Sequence, residues 1–250
     1  LWKFTGVASS PAILRLFTAR SPTNQVQPIT AAPRIARNPA DDTFWVFFGT
    51  GSYINENDLG DATVQTWYGL RDDGTTIAGR AVLNEVQIID EGTVGTRAAR
   101  VIEAVPPTDM IGKRGWYIDL LSPDRVARGE RMVEPNLFQG LTLIGATRIP
   151  NNLDVCAPGG SGWIMAIDPF TGGRRLNNFF DVNNDTSINT NDNLNGAPVS
   201  GLGFVSAPNN PTFLGRVMQV SLDDRTRQTV LTDAGAGQPR RVSWREIVNE

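Results

Sequence analysis

GWIMAIDPFTG, residues 162 to 172, is the segment that indicates the fold most clearly. A glycine and a tryptophan precede an apolar strand, which runs into Asp-Pro-Phe-Thr-Gly, a turn sequence typical of the hairpins in propeller blades. LWKF, residues 1 to 4, echoes this beginning with a tryptophan at the start of an apolar strand. We therefore predict that both segments lie on blade strands of a β-propeller built from radial four-stranded sheets.

Short β-prone runs separated by Gly, Pro, Asn and Asp recur along the rest of the chain, whereas clear amphipathic helix is scarce. This pattern is typical of a sandwich, a barrel or a propeller, and the two tryptophan segments favour the propeller. AILRLFTA, residues 12 to 19, is apolar all round and could equally be a strand or a helix. The aromatic run at Phe44, Trp45, Phe47 and Phe48 predicts a strand buried on both faces rather than a binding face. The predicted strands lie within residues 44–53, 67–74, 114–120, 141–149, 161–168 and 216–222.

The composition narrows the kinds of site that this chain can carry. Its 250 residues include no histidine, which removes every Ser-His-Asp or Cys-His mechanism and every histidine-ligated zinc or iron site. Cys156 is the single cysteine, so no disulfide can close within the chain; a partner thiol elsewhere and a plain buried thiol both stay open. The 23 basic residues are scattered and the net charge is −3, which argues against a nucleic-acid partner. No apolar run reaches the ~18 residues of a membrane-spanning segment.

DVNNDTSINTND, residues 181 to 192, has the spacing of a calcium loop of the EF-hand kind. It lies in an insertion, residues 177 to 195, that holds eight asparagines and three aspartates. With Asp181 as position one, oxygen-bearing side chains stand at positions one, three, five and nine, and position seven offers a backbone carbonyl. The predicted ligands are Asp181, Asn183, Asp185, the carbonyl of Ser187, and Asn189. The alternative is a loop without an ion, because Asn and Asp are also ordinary turn residues.

Two features of the loop predict a weak site. Thr186 occupies position six, where a left-handed conformation costs a residue with a Cβ ~1–2 kcal/mol. Position twelve is Asp192 rather than Glu, and either Asp192 or water could complete the calcium shell. We therefore expect an affinity in the extracellular range of roughly 10⁻⁴ to 10⁻³ M. A strand rather than a helix should follow, since residues 196 to 205 are rich in Gly, Pro and β-branched types.

Six blocks of the chain resemble, in order, the C-terminal region of the PilY/PilC-type adhesins of bacterial type IV pili. The blocks are QPITAAPRI (27–35), FFGTGSYI (47–54), TWYGLRDDG (66–74), RGWYIDL (114–120), CAPGGSGWIMAIDPFTGG (156–173) and VSWREI (242–247). The resemblance implies a modified β-propeller with a calcium loop between two strands, which falls on Asp181 to Asn189. The family's loops usually carry Gly at position six, where this chain has Thr186.

The resemblance also implies export to the outer membrane and cell surface of a Gram-negative bacterium, at the pilus tip. The implied partners are minor pilins and a host or abiotic surface receptor. The implied roles are pilus biogenesis, calcium-regulated extension and retraction (twitching motility), and surface attachment. The family's propeller needs more strands than these 250 residues supply, so the resemblance implies that residues 1–250 are the C-terminal part of one propeller whose first blades lie upstream. The start at Leu1, without a methionine or a signal peptide, is expected of such a fragment.

Two enzymatic alternatives rest on acidic residues. A quinoprotein dehydrogenase also has a propeller with calcium, and Asp168 is the blade acid that could serve it, although a turn-capping role fits Asp168 better. A propeller glycosidase would need two facing carboxylates. The adjacent acids Asp72-Asp73 and Asp223-Asp224 do not provide them, because neighbours in a strand point to opposite faces. We therefore interpret the chain as a non-enzymatic binding and assembly module.

Overall fold

The computed structural model describes residues 1–5, 12–151 and 160–233, which form strands joined by turns and irregular loops, with little helix. The strands are β1 Trp2–Thr5, β2 Ala12–Arg15, β3 Arg34–Arg37, β4 Phe44–Gly49, β5 Thr66–Asp72, β6 Asn84–Val86, β7 Ile88–Val94, β8 Arg97–Ile102, β9 Gly115–Asp119, β10 Leu137–Gln139, β11 Thr142–Ala146, β12 Ile149–Pro150, β13 Gly160–Ile167, β14 Gly201–Phe204, β15 Thr212–Leu214, β16 Val217–Ser221 and β17 Arg227–Leu231. One short α-helix, α1 Asn57–Gly60, and three 3₁₀ turns at Arg80–Val82, Pro107–Met110 and Thr190–Asp192 accompany them. No helix in these ranges is long and apolar enough to cross a bilayer.

The strands predicted from local pattern are present. Trp2 to Phe4 lie in β1, and the apolar part of GWIMAIDPFTG lies in β13. The run AILRLFTA contains a strand, β2, rather than a helix. Cys156 and VSWREI (242–247) lie outside the described residues.

The sheets are not the uniform four-stranded blades that the sequence predicts. In the described ranges they have two strands (β1–β2), seven (β10–β11–β13–β14–β8–β7, with β12 also on β13), three (β15–β16–β17) and five (β3–β4–β5–β9–β6). The seven-stranded sheet is the largest of the four, because β14 pairs with β13 on one side and with β8 on the other. The prediction of regular four-stranded sheets is therefore wrong, whereas that of an all-β fold is confirmed.

The five-stranded sheet shows why its aromatic strands form. Alternate residues of β4 enter two different cores, with Phe47 on one face and Phe48 on the other, and both are buried. Phe44, at the strand end, is 52% exposed, so the prediction of two buried faces holds for the other aromatics of the run. Gly69 lies beneath the indole of Trp116 on β9, where a Cβ would come within 2.3 Å of the ring. The absent side chain at Gly69 is thus what lets the two strands carry a buried tryptophan.

A third core fixes the region after β13. Phe179, Phe180 and Val182 are fully buried in it, packed with Leu194 and with residues of β8, β13, β14 and β16. Burying each large apolar side chain contributes roughly 1.5–3 kcal/mol. The segment between β13 and β14 is therefore anchored on both sides of residues 183–191.

Arg100 is a fully buried charge on the opposite face of β8. Its guanidinium donates to both carboxylate oxygens of Glu130, at 2.7 and 2.9 Å, and its Nε donates to Glu91 at 2.8 Å. The group also stacks on the ring of Trp163, 4.0 Å from the centroid. Burial acts to lower the pKa of Arg100, but Glu130 and Glu91 outweigh it and the pKa is raised, so the network holds the arginine charged.

Candidate metal site

Residues 181 to 192 connect β13 to β14, as expected for a loop between two strands. The chain enters the loop from a buried Phe-Phe pair, and the backbone N–H of Asp181 donates to the carbonyl of Leu231 at 2.9 Å. Asp181 is only 2% exposed, whereas Asn184 to Ser187 are exposed. The loop is therefore buried and hydrogen-bonded at position one, and exposed to solvent in its middle.

The side chains at positions one, three and five accept hydrogen bonds from backbone N–H groups of the same loop. The two carboxylate oxygens of Asp181 accept from the backbone N–H groups of Asp185, at 3.1 Å, and Thr186, at 3.0 Å. Asn183 Oδ1 also accepts from the N–H of Asp185, and Asp185 Oδ1 accepts from the N–H of Ser187 at 2.8 Å. The two Asx turns at Asn183 and Asp185, together with the bonds to Asp181, bring three predicted ligands into one tight turn.

The backbone at position six has the left-handed conformation that the calcium-loop hypothesis predicts. Thr186 has φ 70°, and Asn184 at position four has φ 62°. Asparagine adopts such angles readily, but a β-branched residue does so at a cost. Thr186 thus carries the strain that glycine would avoid.

Asp192 closes the loop as a cap. It is fully buried, and its Oδ1 accepts from the N–H groups of Val182, at 2.6 Å, and Asn183, at 3.2 Å. Its Oδ2 accepts from the N–H of Asn189 at 2.9 Å, and the Asn189 side chain in turn accepts from Asn191. One carboxylate therefore joins the two ends of the loop through a 3₁₀ turn, and the predicted strand, β14, follows at Gly201.

Two residues outside the predicted ligand set also hold the loop. Arg97 Nη1, at the start of β8, donates to the carbonyl of Asp181 at 3.1 Å. Asn178, which is buried, donates to the carbonyl of Asn189 at 2.8 Å and accepts from the N–H of Val199 at 2.7 Å. Sequence reasoning missed both residues because a hydrogen bond between distant parts of the chain leaves no spacing signal.

The residues present fit a hard cation. The loop offers two carboxylates, two amide oxygens and a carbonyl, the donor types that calcium prefers. Oxygens that have accepted one N–H retain further lone pairs for a cation. No three His, Cys, Asp or Glu side chains cluster as a metal site in the described ranges. The loop does not need such a cluster, since amide and carbonyl oxygens supply the rest of its donor set.

The acids of the enzymatic alternatives have structural partners. Asp168 Oδ1 accepts from the backbone N–H groups of Phe170, at 2.8 Å, and Thr171, at 2.9 Å, which is the turn-capping role expected for it. Asp72 pairs with Lys3 and Asp223 pairs with Arg148. Their neighbours Asp73 and Asp224 cap the turns at Thr75 and Thr226. Each acid of the two adjacent pairs therefore has its own local role.

Comparisons with known proteins agree on one family. A family model described as the PilY1 beta-propeller domain matches residues 10–100. A type IV pilus biogenesis factor PilY1 homolog of Xylella fastidiosa (strain Temecula1 / ATCC 700964) is 47% identical over 249 residues, which are 99% of this chain and 20% of that protein. The type IV pilus biogenesis factor PilY1 of Pseudomonas aeruginosa (strain UCBPP-PA14) is 29% identical over 225 residues, 78% of this chain and 19% of that protein. The chain thus spans about a fifth of the length of these two curated relatives.

A solved structure shows the same fold. The crystal structure of the Pseudomonas aeruginosa PilY1 C-terminal domain matches with a TM-score of 0.72 and 22% identity, covering 91% of this chain and 50% of that one. Together with the family model, this likeness identifies the unequal sheets described above as parts of a modified β-propeller.

Proposed function

The chain belongs to the PilY1 family and corresponds to its C-terminal region, and from that premise we propose that it is a non-enzymatic calcium-binding module of a type IV pilus biogenesis factor. The module acts at the pilus tip on the cell surface, with minor pilins as partners. Calcium occupancy of its loop regulates pilus extension and retraction, and so twitching motility and surface attachment. The names of the relatives support the pilus role, and the loop geometry supports the calcium role.

The observation that carries the calcium proposal is the folded state of the loop itself. Asp181 accepts from positions five and six, and Asp192 joins positions two and three to position nine. These bonds hold the side chains of positions one, three and five in one turn, where the remaining lone pairs of their oxygens are available to a cation. Asp181, Asn183, Asp185, Asn189 and the carbonyl of Ser187 would hold the ion, which would offset the repulsion between the two carboxylates.

Calorimetric titration of the 250-residue chain with calcium tests this proposal. We expect wild type to bind one ion, and Asp185→Ala to lose binding because a ligand and a negative charge are removed. Asp224→Ala is the matched control, since Asp224 is an exposed acid that caps a turn outside the loop. Equal binding by wild type and Asp185→Ala would reduce the loop to a turn without an ion.

The pilus role needs a separate measurement. Full-length protein carrying Asp185→Ala or Asp224→Ala should be compared in cells that lack their own copy, by counting surface pili and measuring twitching. We expect Asp185→Ala alone to alter extension and retraction. If both variants and wild type behave alike in cells while calcium binding differs in solution, calcium regulation is excluded and the pilus role stands on the relatives alone.

Absence of catalysis is tested with an alcohol, an added quinone cofactor and an electron acceptor. We expect no turnover, because Asp168 is engaged with two backbone N–H groups. Turnover that Asp168→Asn abolishes would favour the dehydrogenase instead.

A further inference from the structure

A cavity of about 510 Å³ opens at a place that shares no residue with the metal loop. It lies between the β3–β4 hairpin, the end of β5, and segments 107–113 and 168–171. We call it the Trp45 pocket, after the aromatic residue in its wall. The metal site proposed above shares no residue with it, so the two sites can be tested independently.

The wall around Trp45 is apolar and rigid. The Trp45 ring stacks on Phe47, with centroids 6.1 Å apart, and meets the edge of Phe170 at 5.7 Å. The indole N–H already donates to the hydroxyl of Thr43 at 3.0 Å. Trp45 is 4% exposed, so only a small area of its carbon surface meets the cavity, and the half-buried Met110 extends that area.

Two cations stand beside this wall. Arg71 is the cross-strand partner of Trp45 in the β4–β5 pairing, so the two side chains share a face of the sheet. Within the described ranges the Arg71 guanidinium has no hydrogen-bond or ion-pair partner and acts only at longer range, on Asp41 and Asp73. Lys113 Nζ has one long contact, 3.5 Å to the carbonyl of Leu83. Both groups keep N–H donors available to a ligand.

The two acids of the pocket are already engaged. Asp41 Oδ1 accepts from the N–H and the hydroxyl of Thr43, and Asp168 Oδ1 accepts from two N–H groups of its turn. The free N–H donors of Arg71 and Lys113 suit an acceptor that bears one negative charge. A polyanion would also meet the carboxylates of Asp41 and Asp168, which repel further negative charge.

We propose that the Trp45 pocket binds a monocarboxylate that carries an aromatic or branched aliphatic group. Arg71 takes the carboxylate through its planar fork, with Lys113 beside it, and the apolar group lies against Trp45 and Met110. Such a carboxylate is found in a small organic acid and at the C-terminus of a polypeptide that ends in an apolar residue. The two sources share one recognition chemistry and differ in how far the ligand extends beyond the pocket.

Titration of the 250-residue chain with N-acetyl-L-phenylalanine and with its amide tests the charge requirement. We expect the acid to bind at least tenfold more tightly, because the amide cannot form charge-assisted bonds to Arg71. Arg71→Met should abolish that preference while leaving calcium binding and the melting temperature unchanged. Arg34→Met, an exposed arginine on β3 outside the pocket, is the matched control.

A second arm compares short peptides that end in phenylalanine with a free or an amidated C-terminus. Tighter binding of the free peptide than of the single amino acid would identify a polypeptide end as the source, and equal binding would identify a small acid. Equal binding of acid and amide, or an unchanged affinity in Arg71→Met, would overturn the proposal.

Discussion

The side-chain nitrogen of Asn178 lies 2.8 Å from the backbone carbonyl oxygen of Asn189, a predicted calcium ligand. The same nitrogen lies 2.7 Å from Asn193 Oδ1, and Asn178 Oδ1 accepts from the N–H of Val199 at 2.7 Å. One buried amide thus holds the exit of the metal loop against the segment that leads into β14. The backbone of Asn189, at position nine, is therefore positioned by a residue outside the loop, Asn178.

Asn178→Ala should weaken calcium binding although Asn178 is not a ligand. The substitution leaves the Asn189 carbonyl and the Val199 N–H without this partner, at a cost of about 1–3 kcal/mol. Calorimetry and thermal melting should show both a lower calcium affinity and a lower melting temperature. Asn209→Ala removes an exposed amide bond outside the loop, 3.2 Å to the carbonyl of Ser221, and should leave the affinity unchanged. A lower melting temperature with an unaltered calcium affinity would remove Asn178 from the control of the site.

Thr186→Gly should tighten calcium binding. Glycine adopts a φ of 70° without the steric cost that threonine pays, which is ~1–2 kcal/mol. Arg225 has the same φ in a turn outside the loop, so Arg225→Gly is the matched control. It should change stability but not affinity. If Thr186→Gly changed stability but not calcium affinity, the prediction would be wrong, because the strain at position six would then be the same with and without calcium.

Asp185→Lys should imitate the bound loop, because the ammonium can take the place of the cation between the remaining oxygens. Hydrogen exchange followed by mass spectrometry should show that calcium slows exchange in the exposed residues 184–187 and leaves the buried Phe179 and Phe180 unaffected. Asp185→Lys should show the slowed pattern without calcium, and Asp185→Ala should not show it under any condition. If calcium also slowed exchange throughout the core around Phe179 and Phe180, the ion would stabilise the whole sheet and not the loop alone.

Arg100→Met should destabilise the fold by roughly 3–5 kcal/mol, because it leaves the buried carboxylate of Glu130 without its partner. The double variant Arg100→Met/Glu130→Gln should recover most of the loss in urea unfolding, since the unpaired buried carboxylate is then replaced by a neutral amide and Glu91 is partly exposed. Arg128→Met breaks an exposed pair with Asp124 and should have little effect. A double variant as unstable as the single one would assign the loss to packing on Trp163 instead.

Stability should fall with rising pH between about pH 10 and pH 12. Burial raises the pKa of Tyr68 to about 12, whereas an unfolded tyrosine titrates near pH 10. In that window the unfolded state loses a proton that the folded state keeps, so up to about 2–3 kcal/mol of stability is lost as pH rises. Urea unfolding combined with ultraviolet tyrosine titration measures this. Tyr68→Phe should show a shallower fall; an identical fall would point to other groups.

Local pattern was enough for the strands that carry their own signal. β4, β5 and β13 could be predicted because alternating or continuous aromatic and β-branched residues mark a buried strand. β8 could not, since Arg100 within it reads as polar and is buried only because Glu130 and Glu91 meet it. The unequal sheets also escaped prediction, because no local rule states that β14 joins β8.

The candidate site divides in the same way. The spacing of the loop and the left-handed Thr186 follow from short-range geometry, and hydrogen bonds join Asp181 to Asp185 and Thr186 in one turn. The spacing left open whether Asp192 or water completes the calcium shell, and it did not show that the Asp192 carboxylate accepts from three backbone N–H groups. Arg97 and Asn178 became visible only when tertiary contacts brought them to the loop.

The pairing of Gly201 with Arg100 has a consequence for the rate at which the chain folds. The hairpin of β7 and β8 can form early, because its strands are neighbours in sequence. The free edge of β8 can pair only after β14, which lies about a hundred residues further along the chain, has been brought to it. Closing so long a stretch is entropically costly and slow, which places such topologies among the slower folders. The metal loop lies inside that stretch. An ion that ordered it early would shorten the flexible length to be closed and hasten the final pairing.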